Sequence, residues 1–257
     1  MGIINATPDS FYKGSRTANI ELALSLANSM IQEGAAIIDI GGQSTRPNSE
    51  LVSESEEIDR VVPVIEAIHK AFPFTYISID TYYPKVAQMA VKAGASLVND
   101  ISGGRFYSEM LSTVANLNVP YICMHSTGTI DSLHEKTIED SITPAVVNYF
   151  KERVDACNKA GIKDLILDPG FGFGKTNDQN FQLLKEMGAL QIFGLPILLG
   201  VSRKSMIYKT LHISADEALN GTTVLNTIGL LNHACILRVH DVKEAVETVR
   251  LMAYLKK

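Results

Sequence analysis

Short apolar runs recur along the whole chain, and each is followed by a polar loop and then by a longer amphipathic stretch. The runs are rich in Ile, Leu and Val without alternation, which is typical of strands buried on both faces of a parallel sheet. They lie at 2–5, 35–40, 75–80, 96–100, 119–125, 164–168, 196–200 and 235–240. The amphipathic stretches predict helices at 20–34, 55–72, 84–95, 108–118, 143–161, 178–190, 216–234 and 241–257.

Eight βα units in 257 residues have the size and rhythm of a single-domain (β/α)8 TIM barrel, which we expect to occupy residues 1–257. The sequence contains no linker and no low-complexity segment that would divide it. A doubly wound open sheet is the alternative, because the number of strands does not by itself prove that the sheet closes.

The composition narrows the class of protein. Hydrophobic residues make up 46% of the chain and charged residues 20%, as in globular proteins with a sizeable core. The net charge of −5 gives no electrostatic attraction to nucleic acid, and no apolar run approaches the roughly 20 residues of a membrane span. We therefore expect a cytoplasmic protein. Cys123, Cys157 and Cys235 are too widely spaced for a disulfide framework or a zinc site, and we expect buried free thiols.

Polar residues follow the predicted strands at their carboxyl ends, which is where barrel enzymes carry their chemistry. They are Asn5, Asp39, Asp80, Asn99, Asp100, His125, Asp168, His240 and Asp241, and strand 7 leads into the segment GVSRKS. A single Asp or Asn after a strand is most often a turn-former or a helix N-cap. Buried acids at several strand ends are costly unless they are partnered, so the whole set predicts a shared polar site or extensive local pairing.

These strand ends fall into two chemical groups. The first offers carboxylates and an amide, which suit a flat heterocycle with N–H edges; its members are Asp80, Asn99 and Asp168. The second supplies positive charge near strands 7 and 8, where barrel enzymes often bind phosphate; its members are Arg203, Lys204, Arg238 and His240. The glycine-rich segment GFGFGKT at 170–176 lacks the spacing of a nucleotide-binding P-loop. Its glycines instead predict a sharp turn or a close approach of the backbone to a ligand.

Eight segments occur in one order along the chain. They are NATPDSF, DIGGQSTRP, SIDTY, NDISGG, MHS, DPGFGFGKT, GVSRKS and RVHDV. Together they resemble the successive signature segments of the dihydropteroate synthase family, the folate-pathway transferases that sulfonamides inhibit. The resemblance implies that 7,8-dihydropterin-6-ylmethyl diphosphate and 4-aminobenzoate are joined to give 7,8-dihydropteroate and pyrophosphate. It also implies the (β/α)8 barrel, the use of Mg²⁺ and a homodimer.

The resemblance assigns roles by motif position. The pterin ring would be held by Asp80, Asn99 and Asp168, with Lys204 over it. The diphosphate would be held by Asn5, Arg238 and His240, with Asn5 also near the metal. The 4-aminobenzoate would be surrounded by Thr45, Arg46, Pro47, Phe173, Lys204 and Ser205, with Phe11 in a lid above it and Met124 among the substrate-binding residues. The catalytic set implied is Asp80, Lys204, Arg238 and His240.

The chemistry of this reaction agrees with the residue types. Pyrophosphate leaves, so cations must neutralise developing negative charge. A dissociative path leaves a pterin-methyl cation that the amine attacks, and no nucleophilic triad is needed. Such a cation must be shielded from water, and we expect mobile loops after strands 1 and 2 to close over the site. These loops are NATPDSFYKGSRT and GGQSTRPNSE.

The sequence departs from the family pattern at a few positions. Lys13 stands where the family usually has an acid, Gln43 where Glu is common, Asn48 where Gly is common, and Ser126 where Met is usual. Lys13 keeps open a second function, a pterin-binding protein without turnover. A third is a methyltetrahydrofolate–corrinoid methyltransferase on the same barrel, against which the cationic segments SRKS and RVHDV speak.

Overall fold

Parallel strands and helices alternate through the computed structural model, which describes residues 1–6, 16–43, 51–132 and 141–255. Within these ranges there are eight strands: β1 (Gly2–Asn5), β2 (Ile37–Gly41), β3 (Tyr76–Asp80), β4 (Leu97–Asp100), β5 (Tyr121–Met124), β6 (Leu165–Asp168), β7 (Leu198–Leu199) and β8 (Ile236–Leu237). All eight predicted strands are therefore found in the order predicted.

The strands close into a ring. β1 to β6 form one parallel sheet in chain order, and β7 pairs in parallel with β8. A parallel bridge between Leu167 and Ile197 joins β6 to the β7 side, and one between Gly2 and Val239 joins β1 to the β8 side. The Ile3 N–H also donates to the Val239 carbonyl at 3.1 Å. The fold is therefore the predicted barrel, and the open-sheet alternative is wrong.

Nine α-helices lie in the described ranges, one more than the sequence pattern predicted. They are α1 (Arg16–Gln32), α2 (Glu54–Ala71), α3 (Pro84–Ala93), α4 (Met110–Leu117), α5 (Ile142–Ala160), α6 (Asn177–Glu186), α7 (Ser205–Leu211), α8 (Leu219–Leu231) and α9 (Val242–Leu255). The additional helix is α7, in the loop that follows β7. It has only seven residues, which is less than two turns, too short to show a helical period.

The barrel interior is apolar at one end and polar at the other. The apolar layer contains Ile37, Leu97, Ile122, Ile166, Leu198 and Ile236. Residues two positions further along a strand point to the same face, so the next inward layer is Asp39, Asn99, Met124, Asp168, Gly200 and Arg238. The helices pack on the outer face of the strands and enclose the larger hydrophobic core. The polar layer thus lies at the carboxyl end, with a packed apolar floor beneath it.

Two further expectations have outcomes in the fold. In the part of the chain described, no helix is both long enough and apolar enough to cross a membrane. Cys123 and Cys157 are buried free thiols as expected, but Cys235 is exposed. Cys235 immediately precedes β8 at the amino end of that strand, where the side chain leaves the barrel wall instead of entering the core.

Candidate active site

Arg238 forms an ion-pair network across the mouth of the barrel. Its Nε donates to Asp39 Oδ2 at 2.6 Å, and its Nη2 donates to Asp80 Oδ2 at 2.6 Å. The Asn99 amide donates to the same Asp39 oxygen at 3.4 Å. The network therefore brings together three residues that the sequence predicted for the site, Asp80, Asn99 and Arg238, through an acid that was not predicted as a site residue.

Two acceptors of this network are left open. Asp39 is fully buried and Asn99 nearly so, yet Asp39 Oδ1 and Asn99 Oδ1 have no hydrogen-bond partner in the described part of the chain. A buried acceptor without a donor costs about 1–3 kcal/mol. Burial also raises the pKa of Asp80 to about 7, against the opposing charge of Arg238. A ligand that brings N–H groups into the barrel mouth would satisfy these oxygens.

Asp168 and Lys204 form a second polar group on the other side of the mouth. Asp168 ends β6, is buried, and accepts the Gly170 N–H at 2.8 Å through Oδ1. The Lys204 ammonium donates to the Phe171 carbonyl at 2.5 Å and lies 4.8 Å from the centre of the Phe173 ring. Burial raises the pKa of Asp168, opposed by Lys204, and lowers that of Lys204 to about 8. Here the structure brings together Asp168, Phe173 and Lys204, three of the residues predicted for the site.

The pairing register places further predicted residues at the same carboxyl rim of the barrel. Asn5 pairs with Gly41, Gly41 with Asp80, and Asp80 with Asn99. On the opposite side of the ring, the buried Met124 ends β5 and pairs with Asp168. Ser205 is the first residue of α7, directly after Lys204. Four predicted site residues, Phe11, Thr45, Arg46 and Pro47, lie outside the described residues, as do Lys13 and Asn48.

Two of the expected positive charges are not available to the site. The Arg203 guanidinium is paired with Asp241, at 2.8 and 2.9 Å, and donates to backbone carbonyls of the β7–α8 connection. Burial lowers the pKa of His240 to about 4, and Arg238 adds to the shift, so this imidazole is neutral near pH 7. The expectation that Arg203 and His240 supply positive charge to the site is therefore corrected. The charge of Arg203 is balanced by its ion pair with Asp241, and burial keeps the His240 imidazole neutral. His240 lies 3.0 Å from Ser202 Oγ through Nδ1.

Glu57 is a buried carboxyl on α2, close behind the network. Its side chain is fully buried, neither carboxyl oxygen has a partner at full hydrogen-bond geometry in the described ranges, and Thr81 is the side-chain donor beside it. Burial raises the pKa of Glu57 to about 8, and the nearby Asp80 adds to the shift. A Cβ on Gly42 would lie 2.9 Å from Glu57 Cγ, so the end of β2 packs directly on this side chain. We expect Glu57 to be protonated at neutral pH.

The described residues do not form a complete set of protein ligands for a metal ion. Among the described residues there is no group of three or more His, Cys, Asp or Glu side chains that could hold a metal ion. Asn5 is the predicted metal ligand, and an amide oxygen is a ligand type that Mg²⁺ accepts. Because Mg²⁺ commonly binds through one or two protein oxygens plus substrate phosphates and water, this donor set fits a metal that arrives with a diphosphate.

Comparison with known proteins decides the family. A family model described as "Pterin binding enzyme" matches residues 1–240. The dihydropteroate synthase of Clostridium beijerinckii is 45% identical over 247 residues, which are 95% of this chain and 89% of that protein. The chain belongs to the dihydropteroate synthase family. The family resemblance of the sequence is thereby confirmed, and the protein is an enzyme, a transferase.

Solved structures of dihydropteroate synthases have the same fold. The enzyme of Xanthomonas albilineans with 4-aminobenzoic acid is 36% identical, with a TM-score of 0.92 and coverage of 100% of this chain and 92% of that one. The same enzyme in complex with 7,8-dihydropteroate is 34% identical, with a TM-score of 0.89 and the same coverage. Membership of the dihydropteroate synthase family leaves no support for the corrinoid methyltransferase alternative.

Several residues that contact the predicted site were missed as site residues. Asp39 holds Arg238, Lys175 and His125 contact the loop that carries Phe173, and Ser202 contacts His240. Asp39 had a signal in the sequence, since an acid inside a buried run is rare unless it is paired. Lys175 had a weaker one, a single charge directly after three spaced glycines.

Proposed function

We propose that this enzyme joins 7,8-dihydropterin-6-ylmethyl diphosphate to 4-aminobenzoate, giving 7,8-dihydropteroate and pyrophosphate. The observation that carries the proposal is one barrel mouth with open buried acceptors on β2 and β4 and with the cations Arg238 and Lys204 beside them. The Xanthomonas albilineans structures that hold 4-aminobenzoic acid and 7,8-dihydropteroate support this choice of substrate and product.

The pterin end of the substrate suits the open acceptors. A pterin has N–H groups along one edge, and Asn99 Oδ1 is a buried acceptor without a donor. Asp168 Oδ1 accepts one backbone N–H, which leaves Oδ2 for the ring. Asp80 shares Oδ2 with Arg238, and its raised pKa lets it act as either donor or acceptor near pH 7. Lys204 lies on the same side as Asp168 and would cover the ring.

The diphosphate end suits the cations. Arg238 uses Nε and Nη2 for the two acids, so Nη1 still has donors to offer. A neutral His240 can donate one N–H, and Asn5 contributes an amide at the end of β1. These groups stabilise the negative charge that develops on pyrophosphate as the carbon–oxygen bond breaks. When it is bound with the diphosphate, Mg²⁺ would add to this neutralisation, held by Asn5.

The 4-aminobenzoate end would lie against the loop that follows β6. The Phe173 ring is mostly buried and packs near Lys204, and Ser205 follows Lys204 at the start of α7. This arrangement supplies an aromatic face, a cation for the carboxylate and a hydroxyl. The amine would attack the pterin-methyl carbon and lose one proton, so a carbon–nitrogen bond replaces the carbon–oxygen bond. Exclusion of water by the loops after β1 and β2 stays a prediction.

The assembly we infer is a cytoplasmic homodimer that associates through α7 and α8, which pack against each other. Leu211, Val224 and Leu231 on these helices are 52%, 50% and 58% exposed, and exposed apolar side chains on neighbouring helices are typical of an interface. Val224→Glu would place a carboxylate there and is expected to give a monomer, measured by light scattering after gel filtration. An unchanged mass in the variant would refute this interface.

The proposed reaction is tested by measuring pyrophosphate release from the purified protein with both substrates and Mg²⁺. We expect release to depend on 4-aminobenzoate and the product to have the mass of 7,8-dihydropteroate. Asp168→Ala is the matched inactive control. If pyrophosphate release is the same with and without 4-aminobenzoate, the synthase proposal is wrong.

A further inference from the structure

Lys175 places a buried ammonium inside the loop that follows β6. Its Nζ donates to the Gly170 carbonyl at 2.7 Å and to the Phe173 carbonyl at 3.1 Å. It also lies 2.9 Å from His125 Nδ1, at the end of the neighbouring strand β5. An ammonium has three N–H donors. All three have partners here: two carbonyls of the loop that carries Lys175 and the imidazole of His125 at the end of β5.

The glycines of this loop turn the carbonyls towards that ammonium. Gly170, Gly172 and Gly174 have φ of +66°, +82° and +58°, a region that residues with a Cβ rarely adopt. Gly170 has no room for a side chain either, because a Cβ there would lie 1.8 Å from the His125 carbonyl oxygen. The loop is therefore folded around the ammonium instead of being filled by an apolar side chain.

The charges around Lys175 fit this arrangement. Asp168, Lys204 and His125 are the ionisable groups that face it. Burial lowers the pKa of Lys175 to about 7, and Asp168 opposes the shift. Three acceptors surround Nζ, which favours the ammonium with three N–H donors over the neutral amine with two. Burial lowers the pKa of His125 well below its usual range, and the nearby Lys175 adds to the shift. A neutral imidazole can accept at Nδ1, which is what the contact with an ammonium requires.

The same loop presents its other face to the candidate active site. The Phe171 carbonyl accepts from the Lys204 ammonium at 2.5 Å, and the Phe173 ring lies 4.8 Å from that ammonium. The loop backbone thus lies between two lysines, Lys175 behind it and Lys204 in front. Any movement of the loop would displace both the aromatic ring and the cation predicted for 4-aminobenzoate.

We propose that Lys175 is a positioning residue for the second substrate: its ammonium fixes residues 170–173 so that Phe173 and Lys204 keep the spacing that binds 4-aminobenzoate. The proposal rests on the function proposed above. Lys175 itself does not reach the substrate, because its ammonium is buried behind the loop and its donors are used there.

The test compares Lys175→Met with Lys185→Met, an exposed lysine on α6 that serves as a matched loss of charge. In Lys175→Met we expect the KM for 4-aminobenzoate to rise about tenfold or more, since a displacement of about 1 Å can cost about a hundredfold in activity. The KM for the pterin diphosphate should rise several-fold less, because Asp80 and Asn99 hold the ring from outside this loop even if Lys204 moves. Equal rises of both KM values, or no rise in either, would overturn the positioning role.

Hydrogen exchange provides a readout that does not depend on turnover. The Gly172 N–H donates to Asn180 Oδ1 at 2.7 Å and the Phe173 N–H to the Gly170 carbonyl at 3.2 Å. Both amides should exchange faster in Lys175→Met than in wild type, and unchanged exchange would count against the proposal. If wild type shows no synthase activity, the proposed function fails; if wild type is active and the variant has normal KM values, only this inference fails.

His125→Leu is the second variant, in case Lys175→Met does not fold. It removes one acceptor of the ammonium in a setting of aromatic side chains, Tyr149 and Phe150. We expect a smaller change in the same direction, about a threefold rise in the KM for 4-aminobenzoate and a smaller rise in the pterin KM. A KM for 4-aminobenzoate equal to that of wild type would refute the role assigned to the cluster.

Discussion

The sharpest prediction concerns the substitution Arg238→Met, which keeps an unbranched side chain but removes the guanidinium. Arg238 is bound to two acids at 2.6 Å, Asp39 with 0% and Asp80 with 14% of the side chain exposed. Without it these carboxylates face one another across the barrel mouth with no cation between them. The substitution therefore tests whether the network holds the fold together at the site.

The expected magnitude follows from the burial of the two acids. Removing one partner of a buried ion pair costs about 3–5 kcal/mol, because the remaining charge stays buried without compensation. For a domain of this size each kcal/mol corresponds to about 2–4 °C in Tm, so the melting temperature should fall by about 6–20 °C. The double variant Asp39→Asn/Arg238→Met leaves one acid fewer and should recover about half of the lost stability.

The loss of stability caused by Arg238→Met should also depend on pH, and the pKa of Asp80 sets whether it grows or shrinks as pH rises. Burial raises the pKa of Asp80 to about 7 while Arg238 opposes the shift, so the pKa of Asp80 rises further in the variant. The folded state then binds a proton that the unfolded chain releases near pH 4. The free energy of unfolding must therefore fall as pH rises from about 4 through 7. The variant should be more unstable relative to wild type at pH 8 than at pH 5.

Urea unfolding followed by circular dichroism at pH 5 and pH 8 measures these quantities. The chain has no Trp, so the signal comes from the backbone. Arg250→Met, an exposed position on α9, is the control for loss of an arginine. If Arg238→Met at pH 8 lies within about 1 kcal/mol of Arg250→Met, or if the double variant is no more stable than the single one, the reasoning is refuted.

Three other predictions test the site and the loops around it. Asp168→Ala should weaken binding of the pterin alcohol at least about a hundredfold by calorimetry, since a pair of hydrogen bonds to a charged group is lost; unchanged affinity would exclude its pterin role. Wild type should lose stability between pH ~4.5 and 8 because the pKa of Glu57 is raised to about 8, and Glu57→Gln should reduce this loss by at most about 1.4 kcal/mol per pH unit, leaving the part due to Asp80; Glu66→Gln, exposed on the same helix, should keep the whole loss. Gly170→Ala should destabilise the fold far more than Gly194→Ala, since both have positive φ but only the first lacks space for a Cβ; equal changes in Tm would refute the crowding argument.

Much of the fold could be predicted because its signals are local. Eight apolar runs gave eight strands, since strands buried on both faces need no partner information to be recognised in sequence. Helix α7 could not be predicted in the same way. It is a seven-residue helix followed by His212 in a left-handed conformation. Seven residues are fewer than two helical turns, which is too few for a periodic pattern to be recognised in the sequence.

The candidate site was predictable in part for a geometric reason. Parallel strands in a barrel end at one rim, so Asp80, Asn99 and Asp168 had to come near one another once the βα order was known. The charge state of His240 was not predictable, because it depends on how much water the folded barrel removes from the ring. Likewise, the partner of Arg203 became evident only when Asp241 was found beside it.

The sequence by itself determined the alternation of strands and helices, the resemblance to the family and the set of polar residues at the strand ends, because these follow from short-range pattern and motif order; closure of the strands into a ring was seen only in the structure. The tertiary structure alone decided which of those residues pair. Asp39 and Arg238 are separated by 199 residues yet lie 2.6 Å apart, and Lys175 meets His125 from 50 residues away. No local pattern encodes such contacts, since they arise only when closure of the barrel brings distant strand ends together and removes water from between them.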